Sequence, residues 1–181
     1  MIDQNNYSAG NVPLVKFHKE MELETFSNSI KGVTIPSVSI KPARSNENAY
    51  VSVNNIGTNF VFEPLIIRFT VDENWESYME LFKYMVSTSN FQTGRAVNQV
   101  GAFKEPNDII VFLRDRTRTK IVKQLNFKQA WVSDISDVEL TYTDDMTTEL
   151  VCTATFMYAT MIPQDANGDD ITVPSEAKFI N

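Results

Sequence analysis

The amino-acid sequence predicts a mainly β (α+β) protein, an antiparallel β-barrel or sandwich with one main helix. Three observations carry this. Several segments alternate apolar and polar residues at a period of two, and only one substantial segment shows helical spacing. The chain has 181 residues, 43% of them hydrophobic, which is the size and composition of one domain with a real core. Residues 1–12 read as a flexible polar arm, 13–163 as the β domain and 164–181 as an acidic, mobile tail.

Leu14 to Phe17 and Met21 to Phe26 are short strand candidates. Lys31 to Lys41 is extended, with Pro36 placing it at an edge or bend. Pro42 to Asn59 is a long Asn- and Ser-rich excursion that includes Tyr50, Val51, Val53 and Ile56 and reads as a loose hairpin. The rhythm then changes at one residue. Leu65, Ile67, Phe69 and Val71 share a strand face, whereas Trp75, Met79, Phe82 and Val86 recur at helical spacing, so a helix from Asp72 to about Val86 is expected to pack on the sheet through Trp75, Met79 and Phe82. Asp72 suits the helix start because its carboxylate accepts backbone N–H bonds there.

Ser87 to Asn107 is polar and irregular, and Ile109 to Leu113 is a continuous apolar run suited to a strand buried on both faces. The returning strand places Ile121, Leu125, Phe127 and Trp131 on one face. A final hairpin is expected from Val138–Thr143 and Leu150–Tyr158. Its wet face would carry Glu139, Thr141, Thr143, Thr153 and Thr155.

A net charge of −7 argues against a protein whose main task is gripping phosphate backbones, since that affinity comes from clustered Lys and Arg. No apolar run approaches the ~20 residues needed to cross a bilayer, and the first residues lack the pattern of a signal peptide, so a soluble protein with no membrane partner is expected. The single cysteine, Cys152, excludes an intrachain disulfide and falls on an apolar strand face, where a core role is expected. His18 is alone and reads as exposed or structural. Asp165, Asn167, Asp169 and Glu176 match a calcium-loop spacing, but Asp170 occupies the position that requires glycine, so a chance match is the better reading. No phosphate loop, nucleophile elbow or zinc-protease motif occurs. The expectation is therefore no enzyme, no cofactor and no metal. Arg114, Arg116 and Arg118, with Lys120, form the one basic concentration. It is either a solvated turn or a contact for an acidic patch on a neighbouring copy.

The order of elements resembles the tail tube proteins of contractile-tailed bacteriophages. The resemblance rests on the excursion, the approach Gly57-Thr-Asn-Phe60 into a strand ending Phe-Thr-Val-Asp, the helix with Trp75 and Phe82, and the closing run from Leu125 through Trp131 to Leu140. It spans about Val12 to Pro163. The resemblance implies a structural subunit that forms six-membered rings stacked into a hollow DNA conduit. Its implied partners are copies of itself, the sheath protein, tape measure and baseplate proteins, and DNA passing without specific binding. It implies a place in the virion tail after assembly in the host cytoplasm. Within it, Tyr50, Val51, Val53 and Ile56 would reach the adjoining ring. The face carrying Glu139, Thr141, Thr143, Thr153 and Thr155 would suit a lumen, and Arg114, Arg116 and Arg118 an intersubunit contact. The tail and arm extend past the pattern, and the excursion lacks an Arg- and Gly-rich wording. A ring protein or adaptor of the baseplate or neck, or a secretion-system tube protein, thus stays open beside the main tube subunit.

Overall fold

The computed structural model describes residues 14–48, 51–90, 95–96, 107–115, 117, 119–138, 140 and 149–171. The polar arm, Tyr50, Arg116, Arg118, Glu139, Thr141, Thr143 and the tail beyond Ile171 lie outside the described residues, so the expectations placed on them are not carried by the fold. The chain runs β1 (Leu14–Phe17), a 3₁₀ turn (Lys19–Met21), α1 (Glu24–Asn28), β2 (Ile30–Thr34), β3 (Val38–Asn48), β4 (Val51–Phe62), β5 (Leu65–Thr70) and α2 (Glu76–Thr88). Then come the short strands β6 (Ser89–Asn90) and β7 (Arg95–Ala96), followed by β8 (Asn107–Arg114), β9 (Ile121–Ile135), β10 (Val151–Met157) and β11 (Thr160–Asp165).

An antiparallel seven-stranded sheet has the order β1-β8-β9-β10-β5-β2, with β11 also paired to β9. The long strand β9 is its spine. The β10–β9 register shifts by one residue between Thr155 and Phe156. From Phe156 on, β10 and β11 follow β9 in one register, Met157 opposite Trp131 and Thr160 opposite Lys128, interrupted at Tyr158 and Ala159. At that level Gln129 takes a left-handed φ of 52°, and the β8 pairing shifts between Asn107 and Ile109. This is a β-bulge. Asp108 secures it, its carboxylate accepting the Gln129 N–H at 3.2 Å and pairing with the Lys128 ammonium at 2.5 Å. The bulge also switches face parity: Phe127 is buried, and beyond the bulge the buried residues are Ala130 and Val132. Trp131 is therefore 37% exposed, which corrects its expected place beside Phe127.

Leu65, Ile67 and Phe69 are fully buried and Val71 nearly so, as the period-two pattern predicts. They join Phe26, Ile109, Val111, Phe127, Cys152, Ala154 and Phe156 in one core. Phe26 sits edge-on to Phe69 with centroids 5.0 Å apart, a favoured aromatic geometry. Cys152 is buried, with its sulfur 3.3 Å from the Ser136 hydroxyl.

Several expectations need correction. Met21 to Phe26 is a 3₁₀ turn and short helix rather than a strand, because Met21, Leu23 and Phe26 turn inward while Glu80 of α2 caps the turn. Its carboxylate accepts the N–H groups of Thr25 (3.2 Å) and Phe26 (2.9 Å). β8 alternates rather than being buried on both faces, Ile109 and Val111 in the core and Ile110 and Phe112 half-buried. β10 pairs with β5 on one edge and with the end of β9 on the other, while most of the partner strand expected at 138–143 lies outside the described residues. The ordered chain also continues past Pro163. β11 reaches Asp165, a turn closes with the Gly168 N–H donating to the Asp165 carbonyl, and the Gln124 amide donates to the Asp165 carbonyl at 2.8 Å. Gly168 has a φ of 91°, a conformation that glycine accommodates without strain.

Candidate assembly surface

The described residues of the excursion belong to the β3–β4 hairpin, a two-stranded sheet separate from the main one. Val38 faces Phe62 and Ile40 faces Phe60, so period two puts all four on one side. That side is largely open: Val38 is 45% exposed, Ile40 46% and Phe60 61%. Farther out the register shifts between Lys41 and Ala43, opposite Gly57. A Cβ on Gly57 would lie 1.7 Å from the Lys41 carbonyl oxygen, so only glycine permits this approach. Ile56, beside it, is 94% exposed, while the backbones of Val51 and Val53 pair with Asn48 and Ser45. Of the expected inter-ring residues, Ile56 thus stands out on the hairpin, Val51 and Val53 lie in β4, and Tyr50 is outside the described residues.

The helix start behaves as the sequence reading expects, with one change. α2 begins at Glu76, after Trp75 takes a left-handed φ of 60°. The Asp72 carboxylate accepts the N–H of Ser77 at 2.8 Å, the N–H of Glu76 at 3.1 Å and the Ser77 hydroxyl at 2.7 Å. These bonds, the Ser77 hydroxyl foremost, hold its pKa near 2, below the usual 3.8. The face that α2 buries is not the expected one. Ser77, Leu81, Tyr84 and Thr88 turn inward, and the Tyr84 hydroxyl donates to the Ala130 carbonyl at 3.1 Å; burial lifts its pKa to about 12. Met79 is 46% and Phe82 42% exposed, so these two do not plug the helix onto the sheet, although Trp75 does pack against the core from its margin. The reason is geometric: Met79 lies two residues from Ser77 and Leu81, about 200° around the helix.

Thr153 and Thr155 lie half-buried on the outward face of β10, opposite Arg68 and Ile66 of β5. Glu139, Thr141 and Thr143, expected with them, are outside the described residues. Arg114 ends β8, and Arg116 and Arg118 are likewise outside. His18 caps the 3₁₀ turn, with its Nδ1 3.5 Å from the Glu20 N–H. Asp165 pairs with Lys123 and Asp170 accepts from the Gln164 amide, so the acidic turn serves the fold. Among the described residues no group of three or more His, Cys, Asp or Glu could hold a metal ion, and no helix is long and apolar enough to cross a membrane.

An antiparallel sheet, a packed helix and a separate hairpin with an open apolar face make up a fold that solved chains of contractile injection systems share. Over 102 residues the chain is 42% identical to the tail tube terminator protein of Enterobacteria phage T4, a match covering 56% of each chain; it thus spans little more than half the length of that curated relative. Among solved structures, a chain of the PVC sheath–tube complex of an extracellular contractile injection system, in its extended state, superposes with a TM-score of 0.59 at 15% identity, covering 91% of this chain and 94% of that one. A chain from the structure of the sheath/tube terminator of that system superposes at 0.57 with 14% identity, over 89% of this chain and 99% of that one. At such identities the likeness concerns the fold. No family model matches the sequence. The curated relative is a tail tube terminator, in agreement with the expectation of a structural rather than enzymatic protein.

Proposed function

We propose that the protein is a ring-forming structural subunit of a phage contractile tail that closes the tail tube at its end. The observation that carries this is the 42% identity to a tail tube terminator, which favours a terminal ring over the bulk tube. In this reading six copies close a ring. The edge strands β1 and β2, each paired on one side only among the described residues, find partners on neighbouring copies, so an aggregation hazard becomes a closed interface. The β3–β4 hairpin, through Ile56 and the segment with Tyr50, Val51 and Val53, reaches the last ring of the tube. Arg114, Arg116 and Arg118 meet an acidic patch on the adjacent copy. The face with Thr153 and Thr155, joined by Glu139, Thr141 and Thr143, lines a lumen whose short polar and acidic side chains hydrate the wall without binding phosphate.

The partners of such a ring are copies of itself, the tube, the sheath and its terminating proteins, with DNA passing through. Contact with tape measure and baseplate proteins belongs to the bulk-tube alternative. Negative-stain microscopy of the purified protein over a range of concentrations tests the ring. Isolated six-fold rings with a central hole are expected. Long self-stacked tubes would instead make it the main tube subunit, and monomers at every concentration, including in crowding salt, would contradict ring formation.

A further inference from the structure

Among the described residues the hairpin shares no strand pairing with the main sheet, so something else must set its direction. Its two chain connections are short: residues 35–37 around Pro36 lead in, and Glu63-Pro64 leads out. The Glu63 N–H donates to the Ser37 carbonyl at 3.2 Å, which closes the hairpin on itself but does not tie it to the body. Tyr158 does that. It sits at the corner between β10 and β11, opposite the Gln129 bulge, where the Ala159 N–H donates to the Lys128 carbonyl at 2.9 Å and fixes the bend. From this corner the Tyr158 hydroxyl donates to the Glu63 carbonyl at 2.8 Å. Its ring stands edge-on to buried Phe127, centroids 4.9 Å apart, and touches Phe62 on the other side at 6.2 Å. Phe62 in turn stacks on exposed Phe60 at 6.4 Å. Four rings therefore lead from the core to the open face of the hairpin, and the single hydrogen bond in the chain falls at the hairpin's root.

We infer that Tyr158 is the positioning residue that fixes the direction of the β3–β4 hairpin relative to the sheet and so presents its apolar face to a partner ring. The joint is a property of the isolated subunit; its consequence for assembly rests on the reading of the hairpin as an intersubunit contact. An Ala at this position removes both the hydroxyl and the ring, whereas a Phe removes only the hydroxyl and keeps the packing.

The test measures distances between spin labels by pulsed electron resonance in a Cys152→Ala background, with labelled protein diluted into unlabelled protein so that copies do not interfere. One pair, Thr58→Cys with Lys83→Cys, spans hairpin and body, and a control pair, Lys83→Cys with Asp134→Cys, lies within the body. The hairpin–body distribution is expected to broaden about twofold in Tyr158→Ala and less in Tyr158→Phe, with the control pair unchanged. Equal widths in wild type and both variants overturn the inference, and so does equal broadening of both pairs, which would report general loosening. Tyr158→Phe keeps the test usable if Tyr158→Ala fails to fold. Microscopy of the same variants separates the two readings. Broadening with weakened attachment to tubes supports both, while broadening with unchanged attachment keeps the joint and removes the hairpin from the interface.

Discussion

Asp72 shows how one side chain converts a change of rhythm into a joint. Its carboxylate collects two backbone N–H groups and a hydroxyl at the start of α2, which stabilises the charged form and holds its pKa near 2 against 3.8 in an unfolded chain. A carboxylate with a lowered folded pKa contributes stability that is complete above the unfolded value and lost as pH falls through the folded one. Asp72→Asn should therefore flatten the loss of stability between about pH 4 and pH 2, read from thermal midpoints over that range. Glu80 caps α1 from another helix, and Glu80→Ala should cost about 1 kcal/mol in denaturant melts, the usual scale for a lost N-terminal cap. Gly57→Ala should speed amide exchange in the outer part of the hairpin while leaving β5 and β9 protected, because the added Cβ collides with the Lys41 carbonyl. The role of Asp72 was legible in the sequence, since an acidic residue directly before a helical run has few other uses. That of Glu80 was not, because its partners lie 54 and 55 residues away.

At the scale of elements, α2 and β9 separate what periodicity reveals from what it hides. β5 could be read directly, because one alternating face is apolar and the other carries Arg68 and Thr70. α2 carries two apolar stripes, Trp75, Met79, Phe82 and Val86 on one side and Leu81, Tyr84 and Met85 on another, and spacing alone does not rank them. Tertiary contacts do, since only Tyr84 can reach the Ala130 carbonyl with its hydroxyl. Leu81→Ala should accordingly cost about 2–5 kcal/mol, whereas Phe82→Ser should cost well under half as much, both measured by urea unfolding. In β9 strict alternation misplaced Trp131 because a bulge inserts a residue and flips parity, and a left-handed Gln129 has no sequence signal as plain as a glycine would be. The hairpin was legible as an excursion long enough to bind something. Its apolar face depends on the pairing of Val38 with Phe62 and Ile40 with Phe60, which the loop composition concealed.

For the molecule as a whole, the covered core and the uncovered hairpin argue for different things. The core explains why one chain folds; the open face of Val38, Ile40 and Phe60, with Ile56 beyond it, is costly to leave in water and gains by being covered. If a neighbouring ring is what covers it, Phe60→Asp should leave the melting temperature of the subunit nearly unchanged while abolishing attachment to tubes in a pelleting assay. The fold class was legible from alternation and one helical run. The proposed choice of a terminal ring over the bulk tube was not, because it rests on identity to a terminator rather than on any motif or spacing in the sequence. The most direct measurement adds purified, gold-labelled protein to preformed tail tubes without sheath and locates it by electron microscopy. A terminating ring predicts label confined to one end of each tube and an end to further growth there. Label distributed along the tube wall, or tubes that continue to lengthen beyond it, would contradict that role.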